Sequence, residues 1–484
     1  MRAVLLTLMN FCVKIYKNKI IGRNKVKTFL SILICRITYF FLKITGRGGT
    51  TLPGRMALKI KPDILKDVSK NVKIVLVTGT NGKTTSCRIL EQMFIDAKKS
   101  YFINKSGANL ITGITTSFIL NSTATGKNKK EYAIVECDEN AFKKVSLYLK
   151  PQVVLVTNIF RDQLDRYGEV THTLSAIRES ISHLPDSTLC LCTDCSLTYS
   201  LSRDFPNNKI FTYGVNLPFD ENSSETNVSD AEYCIFCKTK YEYNYHTFGH
   251  LGGYYCPNCG YKRVTPDVAV EKIIEIKSDY SVVDLNIFGE IFETKINVPG
   301  TYNIYNAAGA ALALKCLGFE PKSIVKTISE FSSAFGRMEK FTFGGHNINM
   351  ILVKNPAGFT QVTAHLSRVT NDFAVIFCLN DNAADGKDVS WIWDVHFHNL
   401  FESPYLKKVY TCGKRAYDMA LLLKYNGYDE NNITVIENED YDKEIEFIIE
   451  ECKNKDVFIV PTYTSMMQQR HKIAARFGGK EFWE

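Results

Sequence analysis

VTGTNGKTTS, residues 77–86, decides how this chain of 484 residues is read. The apolar run before it, VKIVLVT (72–78), has the composition of a buried strand. Cys87, Leu90, Met93 and Phe94 after it fall at helical spacing. Between strand and helix, Gly79 and Gly82 let the backbone turn so that successive N–H groups, with those of Thr80, Asn81 and Thr85, face phosphate oxygens. Lys83 then reaches the β- and γ-phosphates of ATP, and Thr84 holds Mg2+ at a helix N-terminus. The full G-x-x-x-x-G-K-[ST] pattern is not met, because Val77 stands at the first glycine's place. The plain alternative is a glycine turn without ligand; the strand–GKT–helix context favours a nucleotide site.

Working outward, EYAIVEC (131–137), PQVVLVTNI (151–159) and STLCLC (187–192) are further apolar runs separated by helix-length segments. That pattern predicts a parallel sheet covered on both faces. A polar stretch at 217–233 leads into an insertion, and a β-rich block at 280–298 precedes a helix carrying AAGAALALKCLG (307–318). Near 335–340 a second α/β unit begins, with strands NMILVK (349–354), DFAVIFCLN (372–380), KKVYTCG (407–413) and KDVFIVPTY (455–463). The expected architecture is therefore α/β. A basic, apolar segment at 1–49 precedes an ATP-binding domain at 50–333 with an insertion at about 230–265, and a Rossmann-like domain spans 334–484.

Composition is that of a globular protein, 45% hydrophobic and 23% charged. The net charge of +8 coexists with 51 acidic residues, which excludes a nucleic-acid tail and leaves no nucleic-acid partner to expect. Lys14, Lys17, Lys19, Arg23, Lys25, Lys27, Arg36, Lys43 and Arg47 all precede the first acid, Asp63. The apolar runs among them, 3–13 and 28–45, are too short or too interrupted by charge to span a membrane. They read either as a membrane-surface helix or as one packed on the next domain. No secretory signal is legible, so the expected place is the cytosol, with the inner face of the membrane left open.

CIFC (234–237) and CPNC (256–259) form C-x2-C, an eighteen-residue gap and C-x2-C. Cys234, Cys237, Cys256 and Cys259 can surround Zn2+ tetrahedrally and leave no open position for water, so the site is structural. Two disulfides or four free thiols are the alternatives. His246 and His250 lie inside the insertion but are not needed as ligands; Cys190, Cys192 and Cys195 read as a strand end and turn, and Cys378 and Cys412 as buried packing.

TGTNGKTT has the form this loop takes in the Mur ligase family, and further matches follow in order. VECDEN (135–140) resembles the family's strand end bearing a magnesium-binding acid, here Glu136. VTNIFRDQLDRYGE (156–169) resembles its "TNI..DHLD.HG" segment. TYNIYNAAGA (301–310) is similar to its adenine-side asparagine motif, giving Asn303 and Asn306, and AFGRMEK (334–340) to its hinge arginine at the nucleotide, here Arg337. Two departures stand out: Gln163 and Tyr167 replace histidines, and the peptide-ligase "DYAHNPAG" appears as LVKNPAGFTQ (352–361) with Lys354 and Asn355. Asp162 and Asp165 read equally as ligands and as helix caps.

These departures, with GRGGTTLPGRMALKI (46–60), DGKDVSWIWD (385–394) and PTYTSMM (461–467), resemble an amidating branch of the family. The resemblance implies a zinc ribbon, and ATP-driven conversion of the lipid II D-glutamate α-carboxyl to an acyl phosphate. It also implies attack by ammonia from a GatD-type glutaminase forming a heterodimer with this chain. In that picture Asp385 or Asp388 orients the partner's catalytic histidine, and Trp391 and Trp393 anchor the contact. The competing readings are an amino-acid-adding ligase of the Mur or folylpolyglutamate type, and a non-catalytic ATP-binding scaffold.

Overall fold

The apolar runs flanking the glycine loop are strands buried along almost their whole length, as a sheet covered on both faces requires. The structure, a computed structural model, describes residues 23–45, 49–104, 107–161, 170–219, 230–331, 337–437 and 439–478. Strands β1 (Lys73–Thr78), β2 (Tyr101–Ile103), β3 (Tyr132–Glu136), β4 (Val153–Val156), β5 (Thr188–Cys192) and β6 (Ile210–Val215) lie in one sheet. β7 (Glu242–Phe248) and β8 (Leu251–Tyr255) form a separate antiparallel hairpin within the cysteine insertion. β9 (Val268–Ile276), β10 (Ser281–Ile287) and β11 (Glu290–Ile296) extend the first sheet, whose order is β11-β10-β9-β6-β5-β4-β1-β3-β2. Pairing is parallel from β2 to β9 and antiparallel from β9 to β11. β10, paired with β11 on one side and β9 on the other, alternates buried and half-buried residues, the signature of a strand whose second face is partly wet.

The helix Tyr302–Cys316 crosses this sheet over β4, β5, β6 and β9, buried without a break from Asn303 to Leu314. Its run of alanines lets it sit close to the strands, and it carries its first turn to the glycine loop.

The helix Arg23–Ile44 packs on the helices Thr51–Ile60 and Ile111–Leu120, and Ile32 and Cys35 join the same core as the sheet. Gly54 is required where two of these helices touch, since a Cβ there would lie 1.8 Å from Thr112 O. Packing thus accounts for one face of the N-terminal helix, while Phe40, Phe41 and Ile44 stay exposed. Residues 1–22 lie outside the described residues.

The second sheet contains β12 (Arg337–Phe343), β13 (His346–Ile351), β14 (Phe373–Cys378), β15 (Leu406–Cys412), β16 (Ile433–Val435) and β17 (Asp456–Pro461). Its order is β12-β13-β17-β14-β15-β16, parallel except for the β12–β13 pair. Two apolar clusters cover its faces, one built on Phe359, Phe377 and Trp391, the other on Ile376, Ile448 and Ile459.

Candidate functional site

β1 ends at Thr78, and the loop after it turns through Gly79 (φ +117°) and Gly82 (φ +85°) into the helix Lys83–Asp96. Both glycines are demanded by their neighbours as well as by φ. A Cβ on Gly79 would stand 2.3 Å from Thr157 Oγ1, and one on Gly82 1.9 Å from Asn306 Oδ1. The loop is clamped from β4. Thr80 N donates to Asn158 O at 2.8 Å, Thr80 Oγ1 donates to Phe160 O at 3.1 Å, and Asn81 N donates to Asn158 Oδ1 at 3.0 Å.

Lys83 is 7% exposed; its Nζ donates to Gly79 O and to Thr80 O (3.2 Å) and pairs with Glu139 Oε1 at 3.1 Å. Thr84 is half-buried and Thr85 buried in the first helical turn. Glu136 closes β3 directly beside Val77 of β1 and is buried. Its backbone is gripped at both ends by one side chain. Glu136 N donates to Asn104 Oδ1, and Asn104 Nδ2 to Glu136 O, each at 2.9 Å. Asn306 Nδ2 donates to Asn303 Oδ1 at 2.7 Å, and Asn303 Nδ2 to Pro299 O at 2.6 Å, which fixes this pair against Gly82. The amides of Thr80 and Asn81 therefore bind Asn158 and do not face a ligand, contrary to the expectation for this loop. What can hold polyphosphate and a hard divalent cation is the first turn of the helix at Lys83–Thr85, with the buried ammonium and the acids Glu136 and Glu139 beside it.

The second sheet reaches this loop. Asn355 caps the helix Pro356–Leu366 through Gly358 N (2.8 Å) and donates from Nδ2 to Asn81 Oδ1 at 3.0 Å. Arg161 N and Nε face Asp230, while Arg161 Nη2 donates to Asp394 Oδ2 at 2.6 Å. A small cavity lies between the two sheets, walled by Arg161, Asp230, Phe248, Pro356, Thr360 and Asp394.

The four insertion thiols converge: Cys234 and Cys259 Sγ are 3.5 Å apart, Cys237 and Cys256 Sγ 3.4 Å, and all four lie within 4.8 Å of one another. Tetrahedral thiolates around zinc are about 3.8 Å apart along each edge, given a Zn–S bond of about 2.3 Å. The Thr239 hydroxyl and amide hold the Cys237 thiol below its usual range, while the neighbouring thiols push Cys259 up, as expected of four thiols crowded together. His246 and His250 stand apart from the thiols. His250 instead meets Cys195 (Nε2 to Sγ 3.4 Å) and packs on Phe160, the residue that holds Thr80. The insertion's hairpin therefore supports the glycine loop from behind.

In the late loop, Asp385 is 4% exposed and caps the helix Tyr463–Phe477. It accepts from Thr464 N at 2.7 Å, from Thr464 Oγ1, and from Asn382 N at 3.2 Å. Asp388 is half-buried and accepts from Ser390 N at 2.8 Å; hydrogen bonds from Ser390 hold its carboxyl below the usual range. Trp391 is a core residue against Phe359, whereas Trp393 is half exposed beside Tyr425.

The structure gathers Gly79 to Thr85, Glu136, Asn303 and Asn306 into one place, and Cys234, Cys237, Cys256 and Cys259 into another. Arg337 opens β12, but its side chain lies outside the described residues, as do Asp162, Gln163, Asp165 and Tyr167. Glu139, Asn104 and Asn158 were missed as individual site residues; the only sequence signal for them was proximity to a strand end.

A model of the Mur ligase middle domain matches residues 77–258, and one of the MurT ligase C-terminal domain matches residues 352–466. The subunit MurT of the glutamine-hydrolysing lipid II isoglutaminyl synthase of Streptococcus pneumoniae is 35% identical over 457 residues, 93% of this chain and 98% of that protein. The Staphylococcus aureus subunit of the same name is 30% identical over 459 residues, covering 94% and 99%. Among solved structures, a pseudomurein peptide ligase type C from Methanothermus fervidus superposes with a TM-score of 0.65 at 19% identity, over 86% of this chain and 80% of that one.

Proposed function

The chain belongs to the MurT branch of the Mur ligase family, and from that premise we propose that it is the synthetase subunit of an enzyme that amidates lipid II. The α-carboxylate of the stem-peptide D-glutamate attacks the γ-phosphorus of ATP bound at residues 79–85, and ADP leaves. Ammonia then attacks the acyl carbon, the C–O bond to phosphate breaks, and D-isoglutamine remains. The observation that carries this reading is the loop beside buried Lys83, where Gly79 and Gly82 have no room for a Cβ, in a chain that follows MurT along nearly its whole length.

Phosphoryl transfer of this kind asks for positioning and charge neutralisation more than for a covalent group. Lys83 holds the β- and γ-phosphates, and Glu139 keeps its ammonium oriented when they are absent. Thr84 and Glu136 fit as holders of Mg2+, which when bound neutralises phosphate charge. Asn303, Asn306 and Arg337 take the nucleotide's base side by family likeness. The four cysteines take Zn2+, a closed site that holds the hairpin under Phe160.

The decisive experiment reconstitutes the chain with lipid II, ATP and glutamine, with and without a GatD-type glutaminase, and follows product mass. Exchange of one hydroxyl for an amino group, dependent on the glutaminase or on added ammonia, is the expected result. ATP turnover that requires an amino acid and ignores ammonia would instead mark an amino-acid-adding ligase.

The Gly82 geometry gives a second expectation. Gly82→Ala combines a left-handed backbone strain of about 1–2 kcal/mol with the Asn306 collision. ATP affinity measured by calorimetry should fall by about tenfold or more. An affinity close to that of the parent would show that the loop re-forms around a Cβ and that the cradle is not built as described.

Ammonia comes, in this reading, from a GatD-type glutaminase docked on the second sheet's unit. Trp393, Tyr417, Leu421 and Tyr425 form an exposed apolar stripe there, the kind of anchor such a contact uses. Among the described residues no helix is long and apolar enough to cross a membrane. Phe40, Phe41 and Ile44, on a helix with basic residues and no acid, suit a peripheral contact with anionic lipid. Replacing all three by Ser should reduce co-sedimentation with phosphatidylglycerol vesicles severalfold at unchanged ATP affinity. Equal sedimentation of parent and variant would rule this contact out.

A further inference from the structure

Cys378 and Cys412 close β14 and β15 and are register partners in the parallel ladder, so their side chains leave the sheet on the same face. The helix Tyr441–Glu451 lays Glu444 over them. Cys378 Sγ is 3.7 Å from Glu444 Oε1, and Cys412 Sγ is 4.0 Å from Glu444 Oε2. All three residues are at most 1% exposed, and one donor atom from each lies within 4.8 Å of the other two. Gln469, on the last helix and fully buried, adds a fourth group. Its Nε2 donates to Ser465 Oγ at 2.7 Å, and its amide N–H side acts on the Cys378 thiol. Its Oε1 has no hydrogen-bond partner among the described residues, so that it is open to a ligand role after a turn of the carboxamide.

Ordinary packing accounts poorly for this arrangement. A carboxyl group in a core is costly unless donors or a cation meet it. Among the described residues no lysine or arginine forms an ion pair with Glu444, and thiols are weak donors. Two thiolates, a carboxylate and an amide oxygen, by contrast, are a donor set for a borderline-soft dication. The edges of a tetrahedral zinc site of this composition are roughly 3.5–3.8 Å.

We propose that Cys378, Cys412 and Glu444, completed by Gln469 Oε1, form a second Zn2+ site, separate from the four-cysteine cluster. The metal would tie the ends of β14 and β15 to two helices. β14 runs straight into the 379–394 loop, and Asp385 of that loop caps the helix that carries Gln469. The site thus fastens the base of the loop, and it stands whether or not the chain amidates lipid II.

The test measures zinc per chain in the full-length protein by plasma mass spectrometry. Two ions per chain are expected, falling to one in Cys412→Ser and in Glu444→Gln, and to one in Cys237→Ser/Cys256→Ser, with none in the combination. Titration of the metal-free parent with Co2+ provides a readout that needs no variant. Two phases are expected, the second with about half the thiolate-to-cobalt charge-transfer intensity of the first, in keeping with two thiolates against four. One zinc per chain in the parent, lost entirely with the insertion cysteines, together with a single cobalt phase, would overturn the proposal.

Discussion

Lys83→Ala should lower lipid II amidation by about 10²–10³-fold or more, the size expected when a preorganised charge on a transferring phosphoryl group is removed. The complication is that Lys83 also neutralises Glu139, at 3.1 Å and with both side chains under a tenth exposed. Deleting one member of a buried pair leaves the other charged and unsolvated, which costs about 3–5 kcal/mol. Lys83→Ala alone could therefore fail through misfolding, and the informative variant is Lys83→Met combined with Glu139→Gln. It removes both charges at nearly constant volume, so thermal unfolding should return close to that of the parent. Amidation should stay as low as in Lys83→Ala, because nothing replaces the ammonium at the phosphates. Recovery of stability together with activity would show that Lys83 is only a core ion pair, and the non-catalytic scaffold would then become the better reading.

That ion pair also shows where sequence reading reached its limit. Val72 to Thr78, the run at 131–137 and the four runs of the second unit became β1, β3, β13, β14, β15 and β17, because short apolar runs rich in Val, Ile and Phe suit strands buried on both faces, whereas the alanine-rich run at 307–318 formed a helix. The glycine loop was legible because its chemistry is written in consecutive residues. Glu139 was not: it reaches Lys83 across 56 positions, from a helix whose own period gives no sign of the contact. Asn104 gripping Glu136 and Asn355 reaching Asn81 are likewise products of sheet order and of how the second unit docks. Strand direction was not legible in the β-rich block at 280–298, because alternating, half-wet strands report their exposure only; the structure makes β9–β11 antiparallel. In the second unit, Cys378 and Cys412 looked like packing until register placed them side by side under Glu444.

In the proposed complex a glutaminase would take its triad acid from the late loop, and geometry separates the two candidate aspartates. A triad acid must be ionised, must keep an oxygen lone pair for the partner's imidazole N–H, and must be reachable from outside the chain. Asp385 is poorly placed for the second and third demands: its two oxygens accept from Thr464 N, Thr464 Oγ1 and Asn382 N, at 4% exposure. Asp388 is half-buried and held ionised by Ser390, with Oδ1 engaged by Ser390 N. Asp388→Asn should therefore reduce glutamine hydrolysis by the complex by roughly 10³–10⁴-fold, the effect of losing the acid that orients a catalytic histidine, while leaving the unfolding temperature of this chain unchanged. Asp385→Ala should act the other way round, costing about 1–2 kcal/mol of stability as a lost helix cap and disturbing hydrolysis only through the loop. The sharpest discrimination comes from the ammonia source. Asp388→Asn should still amidate lipid II when ammonium chloride is supplied at alkaline pH, where more of it is free NH3, because Lys83, Glu136 and the glycine cradle are intact. Normal glutamine hydrolysis in Asp388→Asn would dismiss this residue as the triad acid. Loss of ammonia-dependent amidation along with hydrolysis would mean that the loop acts on the synthetase site itself, through the Asp394–Arg161 bridge that joins it to the strand end beside the glycine loop.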